Sequence, residues 1–369
     1  MNMNFCLPTT IITGKNCLAS NGELLSRLGS RCIIVTGKSA ARRSGALDDL
    51  ISVLKSEGIE YALFDEIEQN PSYKSCLSAA LAAKQMGAEF VVGIGGGSPL
   101  DAAKAIAVLA KASDTSPEAL YSSKWDAAPL PIVAVGTTAG TGSEVTPVSV
   151  ITTPNGIKKS FRAPSLYPVL AFGDATYTMS LPPDFTRSTA LDALAHCLES
   201  YFNRSSNDIS RLFAKRGIAI LIEMLEKTAD CHLTPLSFED REAIYCASLY
   251  GGLAISVTGT AFPHALGYFL SEQYGIPHGN ACAVYLEEFI RHNLEVSQEE
   301  TELLFAELGT DAESLSALIR KNLPDIKISL TEEKIASLLP RYEDNKSLKK
   351  CYGNVDKDFA ADILRRLFS

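Results

Sequence analysis

The feature that most limits the fold is a change of rhythm at Pro182-Pro183. Before it, short β-branched runs alternate with helix-periodic segments. After it there is almost nothing but helix periodicity. Strands are expected over residues 31–36, 61–64, 90–97 and 131–135, with helices over 45–57, 76–86 and 99–111 between them. Alternation at that spacing implies right-handed βαβ units and a parallel sheet. Residues 5–18 read as an extended segment with a turn at Gly14-Lys15, and 146–152 and 169–172 as the last strands. From there helix follows helix, over 185–203, 210–228, 238–257 and onward. A chain of 369 residues exceeds one ordinary core. The expected organisation is therefore an α/β domain over 1–182, Rossmann-like and dinucleotide-binding, and an all-α, metal-binding domain over 183–369.

The expected dinucleotide site rests on two loops that each trail a strand. In GIGGGSPLDAAKA, Gly95-Gly96-Gly97 ends a strand, and Ser98-Pro99 opens a helix that carries Asp101 and Lys104. Amides at a helix start, with no Cβ atoms to block approach, make a phosphate cradle. The pattern is neither GxGxxG nor a P-loop. The second loop, GTTAGTGSE, follows the next strand and offers the hydroxyls of Thr137, Thr138, Thr141 and Ser143. Ligands of open parallel sheets sit beyond the carboxyl ends of the strands, where both loops lie. The first long strand ends in Gly37-Lys38-Ser39, with Arg42-Arg43 close behind and no acid for a ribose 2′-hydroxyl. That favours NADP(H) over NAD(H).

The expected metal site starts from Thr189–His196, TALDALAH. Asp192 and His196 are four residues apart, so on a helix they project from one face. His264 in GTAFPHALGY and His278 in YGIPHGNA fall in apolar, small-residue surroundings where a ring needs a partner. One carboxylate and three imidazoles suit a first-row divalent ion, Fe²⁺ and Zn²⁺ alike. The other two of the five histidines, His232 and His292, have polar neighbours and read as surface residues.

Composition excludes several partners. A net charge of -9 argues against nucleic acid and anionic membranes. No apolar run is long enough to span a bilayer. The N-terminal stretch lacks the basic and apolar regions of a signal peptide. The nine cysteines are scattered without a CxxC pair, which reads as reduced thiols in a cytoplasmic protein.

Taken together, GGGSPLDAAKA, TTAGTGSEVTP, DALAHCLESY and the His264 and His278 segments resemble the iron-containing (group III) alcohol dehydrogenase family, nearly end to end. The resemblance implies a nucleotide-binding α/β domain facing a helical domain, with cofactor and metal held between them. It implies Asp192, His196, His264 and His278 as metal ligands, with iron the usual ion. It lays the pyrophosphate against Gly96, Gly97 and Ser98. Thr137, Thr138, Thr141, Ser143 and Thr146, with Asp101 and Lys159, would line the rest of that site. A homodimer through the N-terminal extended segment is a further implication. The sequence departs from the family at Ala190, where glycine is frequent, and at Tyr268, where a second histidine is frequent. Tyr268 would then serve the proton path.

The implied reaction is hydride transfer between the nicotinamide and a small alcohol or aldehyde at the metal. Phe161, Leu166, Phe262 and Tyr268 are expected to line the pocket. The alternative is a metal- and dinucleotide-dependent lyase like dehydroquinate synthase. That chemistry needs a basic pocket in the helical half, and only Arg187, Arg204 and Lys215 lie near the proposed ligands in sequence. A nucleotide sensor without chemistry would have no need of four ligands.

Overall fold

A computed structural model describes residues 5–369. Residues 1–4, part of the stretch read above for a leader, lie outside the described residues. The chain divides into two compact units. One comprises residues 6–181 and 237–245, the other residues 182–236 and 246–369 together with Phe5.

The first unit is built on six parallel strands: β1 (Thr10–Thr13), β2 (Arg31–Thr36), β3 (Glu60–Phe64), β4 (Phe90–Gly95), β5 (Ile132–Gly136) and β8 (Leu170–Gly173). Their order is β1-β8-β5-β4-β2-β3. Alternation along each strand feeds two separate cores. Ile33, Val35 and Val91 face the helices Tyr73–Met86 and Gly97–Leu109. Cys32, Ile34, Val92 and Val135 face the other side, with Leu47, Leu50 and Leu54 of the Ala46–Ser56 helix. The chain leaves β2 toward β3 and then returns to lay β4 on β2's opposite edge. Loops after β2 and β4 therefore diverge, which opens a crevice at the carboxyl ends of the strands. Gly95 and Gly136 are register partners, so the two glycine loops leave the sheet side by side.

One expected strand lies elsewhere. β6 (Val148–Thr152) pairs antiparallel with β7 (Lys158–Arg162) in a separate hairpin packed on the Gly97–Leu109 helix. Its burial alternates, with Ser149 and Ile151 inward, as a one-faced strand requires.

The second unit is helical. Its central helix, Pro183–Tyr201, starts with Pro183 at the first helical position. Residues 190–200 of this helix are all buried. Asp208–Ala229 packs along it behind an Asn207 capping box. The helices Phe262–Gln273 and His278–Ala283 close over its other side.

Candidate functional site

The buried Pro183–Tyr201 helix carries a polar stripe that an apolar core would exclude. Asp192, His196 and Glu199 recur at steps of four and three, one above another, and all are buried. The Phe262–Gln273 helix brings His264 against this stripe, and the short His278–Ala283 helix brings His278 and Cys282. Close approach depends on Gly279. A Cβ there would lie 1.8 Å from the Ser188 carbonyl oxygen, well inside van der Waals contact.

Asp192 Oδ1 lies 3.5 Å from His264 Nε2 and 3.9 Å from His278 Nε2. Neither Asp192 Oδ1 nor His264 Nε2 completes a hydrogen bond, although both are buried. Orphaned buried polar atoms are rare in folded proteins and call for a ligand. The donor atoms of Asp192, His264, His278 and Cys282 all lie within 4.8 Å of one another. His196 is outside that tightest set and stacks on the His264 ring, with centroids 4.6 Å apart. The far side of His264 is held by Glu199, whose Oε2 faces Nδ1 in a close contact. Glu199 Oε1 also accepts the amides of Ala261 at 2.9 Å and His264 at 3.1 Å. His264 therefore presents Nε2 to the cluster in a fixed orientation. Tyr268 lies parallel to His278 at 5.8 Å between centroids.

Electrostatics keep the carboxylate charged. Burial opposes ionisation of Asp192, but the charges of His196 and His278 outweigh it and hold the group well below the ordinary carboxylate range. Burial likewise opposes a charge on His264, yet Cys282 and Glu199 raise its pKa well above the usual imidazole value. The residues fit a divalent cation: two orphaned donors, a charged carboxylate, and a histidine backed by a carboxylate. The His278 side chain is 31% exposed, so the cluster is open on that side.

The nucleotide loops are in the other unit. A Cβ on Gly96 would lie 2.8 Å from Thr138 Oγ1, so the first loop passes directly against the second. The amides of Gly97 and Ser98 open the Gly97–Leu109 helix and have no acceptor within it. Thr137 Oγ1 is buried without a hydrogen-bond partner. Asp101, Ser143 and Thr146, three other expected contacts, turn inward. Asp101 accepts from Ser143 Oγ at 2.7 Å and the Val150 amide at 2.9 Å. The fully buried Lys104 donates to Ser143 O and Val148 O, both at 2.8 Å, and to Ser143 Oγ at 2.6 Å and Thr146 Oγ1 at 3.3 Å. Lys104 is thus the peg that fixes the second loop to the helix of the first. Thr141 Oγ1 accepts the Ser143 amide at 3.3 Å. Lys159 lies over the Tyr121 ring at 4.7 Å.

After β2, Lys38 and Ser39 are exposed, and Ser39 precedes the Ala40–Arg43 turn of helix. Arg42 pairs with Asp65 at 3.6 Å, so an acid from the end of β3 stands beside the basic group.

One expectation is corrected. His292 is buried, not on the surface: it packs against Phe262 and Phe359 and its Nε2 is 2.8 Å from the Tyr352 carbonyl. Phe161, Leu166 and Phe262, expected at the substrate pocket, are each buried among apolar side chains. Their size and apolarity suit a packed interior at least as well as a binding wall.

Sequence models of known families match both halves. Residues 8–175 match the iron-containing alcohol dehydrogenase model, and residues 186–335 match the C-terminal model of the Fe-containing alcohol dehydrogenase family. The chain belongs to the iron-containing alcohol dehydrogenase family. A 1,3-propanediol dehydrogenase of Klebsiella pneumoniae is 30% identical over 85% of this chain and 81% of its own length. An NADPH-dependent butanol dehydrogenase of Clostridium saccharobutylicum is 29% identical over 90% of this chain and 83% of its own. An iron-containing alcohol dehydrogenase crystal structure from Thermotoga maritima superposes with a TM-score of 0.91 at 35% identity, covering 99% of each chain. The chain is an oxidoreductase of the alcohol dehydrogenase type, and these findings favour that reading over the lyase. No single helix among the described residues is long and apolar enough to cross a membrane.

Proposed function

We propose that this protein interconverts short aliphatic aldehydes and alcohols with NADP(H), at a divalent metal centre held by Asp192, His196, His264 and His278. Fe²⁺ is the proposed ion and Zn²⁺ the alternative. The observation that carries the reading is the pair of buried, unsatisfied donors, Asp192 Oδ1 and His264 Nε2.

When bound, the ion supplies Lewis-acid polarisation of a carbonyl oxygen and the reduced nicotinamide supplies hydride. The chain's own residues do the remainder. Asp192 holds a negative charge against the cluster, and Glu199 holds His264 in the tautomer with its proton on Nδ1, which leaves the Nε2 lone pair for the ion. The exposed flank of His278 admits the substrate, and Tyr268, parallel to that ring, carries a proton at its phenol oxygen. Gly96, Gly97 and Ser98 cradle the pyrophosphate through main-chain amides, while Thr137 and Thr138 border it. Lys104 and Asp101 keep the second loop in register without touching the cofactor. NADP(H) is favoured by the missing acid at Gly37 and by the exposed Lys38, Arg42 and Arg43. Short substrates are proposed because relatives are named for 1,3-propanediol and butanol. β1 is an edge strand whose outer row of backbone groups suits pairing with a second copy, which supports a homodimer.

The test is the metal content and turnover of Asp192→Ala and His278→Ala. Both variants should lose bound metal and aldehyde reduction together. A variant that keeps its metal and its rate would remove that residue from the site.

A further inference from the structure

The second glycine loop is held at its base by a residue from the helical half of the sequence. Residues 237–245 return to the α/β unit, and Tyr245 is the last of them. Tyr245 is buried, and its ring lies over the carboxyl ends of β5 and β8. Two glycines leave room for it. A Cβ on Gly173 would lie 2.5 Å from Tyr245 Cε1, and a Cβ on Gly136 would overlap Tyr245 Oη and Glu144 Oε1 at once. Tyr245 Oη donates to Glu144 Oε1 at 2.9 Å.

Gly136 is the first residue of the loop GTTAGTGSE, and Glu144 is the last. The Glu144 side chain therefore folds back across the mouth of the loop to its starting residue, and Tyr245 fixes it there. Lys104 pins the same end of the loop through Ser143 and Thr146. Between the two ends stand Thr137, Thr138 and Thr141. Their fit against the first loop is tight. A Cβ on Gly96 would lie 2.8 Å from Thr138 Oγ1, and one on Gly97 would lie 2.8 Å from Thr141 Cγ2. A small displacement of the second loop would therefore crowd or open the main-chain cradle beside it.

Packing alone does not account for the Tyr245–Glu144 pair. Glu144 is buried, and its Oε2 has no hydrogen-bond partner. Burial raises its pKa, although its own backbone amide, Tyr245 and Lys104 act the other way. A carboxyl in such a place costs stability that a leucine of similar size would not. A directional bond between buried groups in return favours one arrangement of the segments that carry them.

We infer that Tyr245 is a positioning residue of the nucleotide site: through Glu144 it sets the place of residues 137–141 against Gly96 and Gly97 without touching the nucleotide. The inference rests on the nucleotide-cradle reading above and deepens it. It assigns to that site a residue 101 positions beyond the loop residue it holds.

The test is nucleotide binding by the full-length protein and by Tyr245→Phe, followed through the fluorescence of bound NADPH and NADH. Phenylalanine keeps the ring in its slot and removes only the donor. The dissociation constant of the better-bound nucleotide should rise about three- to tenfold, the typical worth of one buried hydrogen bond. With an aldehyde that the unaltered enzyme reduces, KM for the nucleotide should rise by a similar factor while kcat at saturating nucleotide holds. Hydrogen exchange in the nucleotide-free variant should quicken across residues 137–144 and stay unchanged in β4 and β5. Glu144→Ala, which removes the acceptor instead, should weaken binding comparably. A Tyr245→Phe protein that melts earlier but keeps its nucleotide affinity and its loop exchange would overturn the inference, since Tyr245 would then serve the core alone. Exchange that quickens throughout the α/β unit would also overturn it, because general loosening would be the cause. If the unaltered protein binds neither nucleotide, the cradle reading itself fails and this inference falls with it.

Discussion

Glu199 is the residue on which the hold of the proposed centre on an ion should depend most. A carboxylate behind a ligating imidazole fixes its tautomer and raises its basicity. Glu199 is fully buried and turns both oxygens to the His264 segment. Glu199→Gln keeps the size but removes the charge, and metal affinity measured by equilibrium dialysis should fall about tenfold or more. Unchanged affinity would make Glu199 a structural residue only. Glu199 was within reach of sequence reading, since it sits seven residues after Asp192 and three after His196 on a helix where apolar residues dominate. Asp192 and His196 caught the eye as a pair, and the stripe continued one turn further. His292 shows the reverse error. Its sequence neighbour Arg291 suggested the surface, but the ring points to the opposite side of the helix, into Phe262 and Phe359.

At the scale of elements, the short His278–Ala283 helix and the central helix approach so closely that only glycine fits between them. Gly279→Ala should push them apart, lowering stability by about 1–3 kcal/mol as overpacking typically does and weakening metal binding as well. Denaturant midpoints with and without metal would separate the two losses. The C-terminal helix, Lys357–Phe368, offers a pH test of a different kind. Asp356 accepts the amides of Asp358 and Phe359, and the Phe359 amide is the largest influence holding its carboxyl below the ordinary value. A depressed folded pKa stabilises at pH values above the unfolded one, about 3.9, and that contribution is lost as pH falls through the folded value. Hydrogen exchange in the first turn, corrected for its intrinsic pH dependence, should therefore accelerate in acid. Asp356→Asn, which caps without titrating, should remove that dependence.

The parallel strands and their crossover helices were legible because both periodicities are strong there. The β6–β7 hairpin was not. β6 is β-branched at every position but Ser149 and looks like a core strand, while β7, Lys158–Arg162, buries only Phe161 and reads as a loop.

At the scale of the whole molecule, the proposed function divides between two units. The glycine loops proposed to hold the nucleotide lie in the α/β unit, and the cluster proposed to hold the metal lies in the helical unit. The return of residues 237–245 to the α/β unit did not show, because the Phe238–Thr258 helix runs unbroken through it. The reason lies in side chains: Tyr245 donates to the buried Glu144 at 2.9 Å and Arg241 to the Thr178 carbonyl at 2.7 Å. Such long-range polar contacts leave no periodic trace in sequence.

Metal-dependent hydride transfer with a preference for NADP(H) is the proposal on which the site's reading turns. The most direct measurement is loss of reduced-nicotinamide absorbance with protein loaded anaerobically with Fe²⁺, a panel of short aldehydes, and NADPH and NADH in parallel. The predicted result is turnover that requires the metal and is faster with NADPH. Turnover with NADH alone would contradict the reading of Gly37 and its neighbouring cations while leaving the enzyme class intact. Absence of turnover with either nucleotide across the panel, despite bound metal, would contradict the proposed reaction on short aldehydes.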